Sequence, residues 1–397
     1  MKPVSVRTRE IAPSMTVAVD TLAKRLKAEG RDIVSLGAGE PDFETPAHIR
    51  EAGIEAIRQG KTRYVAPVGL LEVREAVAKK LETENSLHYD ASQIVLTSGA
   101  KHAVFNAFAA LLNPGDEVVI PAPYWVTYPE LVRWFGAVPV IVNSSPEAAF
   151  KISAAALEGA ITAKTKAVVL NNPCNPSGAL YSKGELEELC KVMVGHDLYC
   201  VSDEIYEHFC YGGEFASAAG FEGMQERTIL INGLSKSHCM TGWRLGYDAA
   251  TEELAQMIAK IQSQAIHHPS LPAQYGALAA LTAGNECVFK MRDVFKGRRD
   301  FLRQKISATL GTEIPAPEGA FYLFAPVERL YGKLAPSGQK IDGSIAFCNY
   351  LLEAVGLAIV PGAAFGMDTC VRFSYAASEA TLAEAAKRFD SGVRALK

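Results

Sequence analysis

The stretch S-K-S-H-C-M-T-G-W-R-L-G-Y, Ser235 to Tyr247, follows an apolar, strand-like segment from Thr228 to Asn232. A lysine among small and polar residues at the mouth of a strand, with an arginine eight residues on, suits an amine that bonds a carbonyl while a guanidinium holds a phosphate. Lys236 is the candidate nucleophile and Arg244 the candidate anion fork. A Ser-Lys pair in a loop is more often solvated surface, so the reading depends on its company. That company is N-N-P-C-N-P-S-G (Asn171 to Gly178), S-D-E-I-Y (Ser202 to Tyr206) and V-R-F-S (Val371 to Ser374), in that order along the chain.

Working outward, strand-like segments recur at Gln93 to Thr97, Glu117 to Ile120, Val138 to Val142, Ala167 to Asn171, Tyr199 to Ser202, Thr228 to Asn232 and Leu245 to Asp248. Most are separated by helical stretches such as Lys183 to Val194. Continuous apolar strands alternating with helices predict a largely parallel sheet covered on both faces, with ligands at the carboxyl ends of its strands. Gly99, Asn175, Asp203 and Lys236 all follow such strands. The Ser98-Gly99-Ala100-Lys101 turn places free backbone N–H groups and the positive end of a helix dipole at one point, a ready phosphate site.

Earlier in the chain, Met1 to Pro13 reads as a charged arm and Thr16 to Gly30 as an amphipathic helix. Asp32 to Leu36 reads as a short strand feeding G-A-G-E-P-D. That loop lacks a third glycine, and Pro41 blocks a helix, so it is not a dinucleotide fingerprint. It suits instead a backbone that approaches a ligand at Gly39. Helices are expected over Pro46 to Gly60 and Leu71 to Asn85. From about Lys290 a basic helix, Gly- and Pro-punctuated segments and helices at Asp342 to Val355 and Glu379 to Leu396 suggest a second, smaller α+β domain. The expected division is an arm and part of the small domain over 1–45, a large domain over 46–289 and a small C-terminal domain over 290–397.

A chain of 397 residues exceeds one ordinary core. A net charge of −4 and a pI near 6.1 offer no electrostatic reason to bind nucleic acid or an anionic membrane. The N-terminus has no apolar segment of signal-peptide length, and the stretch around Ala103 to Leu112 is too short to span a bilayer, so cytoplasmic residence is expected. Eight scattered cysteines without a C-x-x-C pair read as reduced thiols, with Cys239 a small apolar filler. No grouping has zinc-ligand spacing, and the neighbouring rings of His267 and His268 would diverge on a strand or sit about 100° apart on a helix, so no metal is expected.

Taken together, these motifs resemble the fold-type I, class I aminotransferases that use pyridoxal phosphate, and among them the bacterial aspartate aminotransferase branch. The resemblance covers essentially the whole chain. It implies an α/β fold, with a large domain built on a seven-stranded, mostly parallel sheet covered by helices and a smaller α+β domain formed by the N- and C-terminal segments. It implies a homodimer with shared active sites, acting on small amino acids and 2-oxo acids. The implied reaction converts L-aspartate and 2-oxoglutarate to oxaloacetate and L-glutamate by a ping-pong route. Aromatic or prephenate specificity, or a C–S β-lyase activity, would share the same cofactor residues.

The resemblance also assigns roles. Lys236 forms the Schiff base and Asp203 keeps the pyridine nitrogen protonated, although a Ser-Asp-Glu also reads as a helix N-cap. Tyr206 and Asn175 bond the phenolic oxygen, and Trp125 stacks on the ring. Gly99, Ala100, Lys101, Ser235 and Arg244 bind phosphate, with Tyr64 reaching it from the partner subunit. Arg372 takes the substrate α-carboxylate, aided by the backbone at Gly39. A second substrate carboxylate falls to Lys101, with Ser14 and Thr16. Cys174 and Ser177 depart from the commoner N-P-N-N-P-T-G, and Ala12 stands where the branch often has lysine, which bears on the distal pocket and on prephenate.

Overall fold

The computed structural model describes Val4, Ser5 and residues 7–397. Of the expected arm, Met1 to Pro3 and Val6 lie outside the described residues, and Arg7–Glu10 form one helical turn. The strands are β1 (Val34–Ser35), β2 (Ile94–Thr97), β3 (Glu117–Ala122), β4 (Val138–Asn143), β5 (Thr165–Asn171), β6 (Tyr199–Asp203), β7 (Thr228–Gly233), β8 (Gly246–Ala249), β9 (Tyr322–Pro326), β10 (Leu357–Ala358), β11 (Val360–Pro361) and β12 (Cys370–Ser374). Seven of them form one sheet in the order β2-β8-β7-β6-β5-β3-β4. β8 runs antiparallel to both β2 and β7 while the remaining pairs are parallel, so the expected mostly parallel sheet is present.

The strands read as unbroken apolar runs because both faces are covered. Val95, Ile120, Val169, Val201 and Ile231 point to one face, against the helices Ala100–Leu111 and Glu252–Ala265. Leu96, Val168, Cys200 and Leu230 point to the other, under Ala47–Arg58, Leu71–Asn85, Lys183–Gly195 and Leu271–Thr282. With a period of two along each strand, double coverage removes the polar alternation of a half-exposed sheet.

Beyond the large sheet, β11-β12-β9 form an antiparallel sheet and β1 pairs with β10 in parallel. The strand expected over Asp32 to Leu36 is therefore only two residues long, held by Val34 N to Gly356 O (2.8 Å) and Leu36 N to Ala358 O (2.9 Å). The basic helix starts earlier than expected and runs over Glu286–Leu310. His267 and His268 lie in the link between Glu252–Ala265 and Leu271–Thr282 rather than on a strand or helix. There His267 takes a φ of 68° and the two rings meet edge to face at 5.2 Å, an arrangement of neither the strand nor the helix case.

Candidate active site

The carboxyl ends of β2, β5, β6 and β7 open onto one cavity of about 360 Å³. It is lined by Lys236, Asp203, Tyr206, Asn175, Ala100, Lys101, Trp125, Ser235, Arg244, Arg372, Gly39 and Thr16, twelve residues singled out from the sequence. Gly99, Ser14 and Tyr64 do not line it. Gly99 caps the helix Ala100–Leu111 with a φ of 81°. A Cβ there would fall 2.6 Å from an Arg244 Nη, so only glycine lets the guanidinium close on this turn. Ser14 reaches the cavity indirectly, through a 2.9 Å hydrogen bond with Thr16. Tyr64 is 86% exposed and packs its ring 5.3 Å from His267 and 5.8 Å from His268.

At the helix start the sequence places the first amide groups of a helix beside a guanidinium, which suits an anion. Arg244 is itself in the left-handed region, with Nη1 donating to Thr241 O at 3.0 Å and Nη2 to Ser98 O at 3.3 Å. The glycine after it matters too, because a Cβ on Gly246 would sit 2.6 Å from Ala100 N.

Lys236 Nζ donates to Gly39 O at 2.6 Å. Burial, reinforced by Arg244 and Arg372 and opposed by Glu40 and Asp203, lowers its pKa from 10.5 to about 8. Asp203 ends β6 and is almost wholly buried. Its burial raises the carboxyl to about 6, although Tyr128, the Ile205 amide and Lys236 favour the charged form. The N-cap reading of Asp203 is partly present, since Oδ1 accepts from Ile205 N at 3.3 Å. Its other oxygen accepts from Tyr128 Oη at 2.6 Å, which makes Asp203 more than a cap.

Tyr128, Tyr322, Asn171 and Glu40 line the cavity and were not singled out from the sequence. Tyr322 Oη shares a 2.8 Å hydrogen bond with Tyr206 Oη. Asn171 donates to Asp203 O at 3.0 Å and accepts from Asn175 N at 2.8 Å. Asn171 opens the N-N-P-C-N-P-S-G run and Tyr128 stands three residues after Trp125, but an ordinary strand-end asparagine or core tyrosine looks the same in sequence. Tyr322 stands on β9, over a hundred residues away, and carries no local signal.

Arg372, on β12, is 3% exposed, donating from Nη1 to Asn175 Oδ1 (2.9 Å) and from Nη2 to Gly37 O (2.8 Å). Its guanidinium lies 4.4 Å from the Tyr322 ring centroid and 4.9 Å from that of Phe365. Among the described residues Nε has no partner, an arrangement that suits a bidentate carboxylate. Lys101 Nζ is 5.1 Å from the centroid of Trp125, and burial and Arg244 lower its pKa. Cys239 stands against Met291 Sδ at 3.4 Å, and burial pushes its thiol to about 12, as suits an inert filler.

The family profile described as aminotransferase class I and II matches residues 31–389. The chain belongs to this family. This aminotransferase is 43% identical over 384 residues to an aspartate/prephenate aminotransferase of Cereibacter sphaeroides, covering 96% of each chain. It is 42% identical to an aspartate aminotransferase of Bacillus subtilis, again over 96% of each. The crystal structure of the Rhizobium meliloti aspartate aminotransferase superposes with a TM-score of 0.96 at 39% identity over the full length of both chains. That of the Thermus thermophilus enzyme with maleate superposes with a TM-score of 0.93 at 42% identity, over 98% of this chain and 100% of that one.

The two shifted groups set opposite pH slopes on the stability of the aminotransferase freed of any cofactor. Between about 4 and 6 folded Asp203 holds a proton that the unfolded chain has lost, so stability falls as pH rises. Between about 8 and 10.5 folded Lys236 lacks a proton that the unfolded chain holds, so stability rises with pH. Urea titrations across this range should lose the acidic slope in Asp203→Asn and the alkaline slope in Lys236→Met, each on the order of 2 kcal/mol. Unchanged slopes in the variants would contradict the burial of these charges.

Proposed function

We propose that this aminotransferase is a pyridoxal-phosphate enzyme, a cytoplasmic homodimer that transfers the amino group of L-aspartate to 2-oxoglutarate by a ping-pong route. The observation that carries this is one cavity holding a lysine, a buried carboxylate and two arginines, Arg244 and Arg372. The residues fit the cofactor. The Gly99 turn closed by Arg244 suits its phosphate, and buried Asp203 suits a cationic ring nitrogen. When bound, pyridoxal phosphate supplies an aldehyde for the amino group and an electron-withdrawing ring.

The protein groups then act as follows. Lys236 Nζ, with a pKa near 8, is neutral in a useful fraction of molecules and moves the proton at the substrate Cα. Asp203, oriented by Tyr128, holds negative charge at neutral pH. Tyr206 and Asn175 present hydrogen-bonding groups to the cofactor's phenolic oxygen, and Tyr322 orients Tyr206. Arg372 holds the α-carboxylate with its guanidinium against the rings of Tyr322 and Phe365, where water is scarce and the ion pair correspondingly strong.

A dicarboxylic substrate needs a second cation, because an unpaired buried carboxylate costs several kcal/mol. Lys101 lines the cavity with Thr16 and is the group that meets this need, with Ser14 supporting Thr16. The Thermus relative is a complex with maleate, itself a four-carbon dicarboxylate. A prephenate acceptor is the second reading, favoured by the name of the Cereibacter relative. Against it, the Ala12 position contributes only a backbone N–H, donated to Glu130 at 2.9 Å. The exposed ring of Tyr64, with exposed Ile54, Ile57, Leu71 and Ile266 on neighbouring segments, supports a surface covered by a second copy.

Borohydride reduction followed by peptide mapping should place the cofactor label on Lys236, and a label on another lysine would overturn the assignment. Lys101→Ala should lower kcat/KM for aspartate by about 1.5–3 kcal/mol while sparing monocarboxylic aromatic donors. Equal losses for both donors would restrict Lys101 to the phosphate. Mixing inactive Lys236→Ala protein with an inactive Tyr64→Ala variant should restore activity if each site draws on two chains. No recovery after proven subunit exchange would contradict shared sites.

A further inference from the structure

A second, smaller cavity lies beneath the turn that carries Lys236, lined in part by Lys80, Glu84, Glu207, His208, Asn232 and His238. Its central group is the buried carboxylate of Glu207, which the chemistry above does not use. Lys80 Nζ donates to Glu207 Oε1 and, at 2.8 Å, to Asn85 Oδ1. Asn85 Nδ2 donates to Glu207 Oε2 at 2.8 Å, and Asn232 Nδ2 to Oε1 at 2.6 Å. His208 Nδ1 stands 3.7 Å from Oε1, while its Nε2 is 2.9 Å from Glu84. Burial alone would raise the carboxyl, but Lys80, His208 and these hydrogen bonds outweigh it and hold the pKa at about 2. Glu84, Glu207 and His208 bring three ligand atoms within 4.8 Å of one another, yet the two carboxylates already face a cation, the Lys80 ammonium.

The position of Glu207 in the chain gives this ion pair a consequence for the active site. Glu207 closes the turn that begins after Asp203 and contains Tyr206, with Glu207 N bonded to Glu204 O at 2.9 Å. Asn232 lies near the end of β7, four residues before Lys236, and its Oδ1 accepts from Gly233 N at 2.7 Å. The ladder between β6 and β7 reaches Asp203 and Ile231. Past that row the chains diverge into the two turns bearing the proposed catalytic groups, and the Asn232 to Glu207 hydrogen bond links them across the gap.

We propose that Glu207, kept ionised by Lys80, is a positioning residue that fixes Lys236 relative to Asp203 and Tyr206. The proposal rests on Lys236 being the amine that bonds the cofactor. A carboxylate suits this place because it accepts from Lys80, Asn85 and Asn232 at once, whereas an amide would turn a donor toward one of them.

The test uses holoenzyme of wild type, Glu207→Gln and Asn232→Ala, the last leaving the Lys80–Glu207 pair in place. The readouts are the cofactor dissociation constant, the pH midpoint of the cofactor's visible absorbance, and the melting temperature with and without cofactor. Both variants should bind the cofactor about tenfold more weakly, the worth of one charge-assisted hydrogen bond, and shift the absorbance midpoint by about half a pH unit or more. Should Glu207→Gln fail to fold, Asn232→Ala decides the question. Wild-type affinity and midpoint in a folded variant, with only the melting temperature lowered, would make the network a stability feature and overturn the proposal. A wild-type label on a lysine other than Lys236 would overturn the underlying assignment and the positioning role together.

Discussion

An ammonium and a carboxylate are held at the ends of the neighbouring strands β7 and β6, and much of the surrounding structure follows from keeping both poorly solvated. An isolated buried charge is costly, so each is given partners. Lys236 bonds the Gly39 carbonyl, while Asp203 accepts from Tyr128 and the Ile205 amide. The opposed burial effects bring the two pKa values to about 8 and about 6. Ordinary side chains thereby become groups that can exchange or hold a proton near neutrality.

A second constraint is steric. The β2–helix turn, Arg244 and the start of β8 converge so closely that neither Gly99 nor Gly246 has room for a Cβ. Two strands from distant parts of the sequence thus meet a helix N-terminus with backbone alone. The same economy appears at Gly39, where a Cβ would fall 2.9 Å from Tyr322 Oη. Close backbone approach lets main-chain groups form part of the cavity wall.

Polar links between elements complete the site. Asn171 joins the Asp203 carbonyl to the Asn175 amide, and Asn175 passes the connection to Arg372 on β12. Arg372 then reaches the carbonyl of Gly37, the first residue of the glycine-rich loop. The arginine is fixed by groups from widely separated parts of the chain, with two aromatic faces excluding water from its guanidinium. These neighbours leave it few alternative rotamers.

The seven strands of the large sheet were legible in the sequence because double coverage writes itself as unbroken apolar runs, and Asn175, Asp203 and Lys236 were legible as residues that follow strand ends, whereas Trp125, Thr16 and Arg372, which line the same cavity, were expected only from the family resemblance. Tyr128 and Tyr322 were not legible as site residues, since a buried tyrosine hydroxyl acquires its meaning only from the partner it meets across the fold. The two-residue length of β1 depended on β10 more than three hundred residues later. The His267 and His268 rings meet because the backbone turns left-handed between two helices. By itself the sequence determined which groups could carry charge and which segments could be strands. Tertiary structure alone decided their desolvation and hydrogen-bond partners, because both depend on atoms brought together from distant parts of the chain.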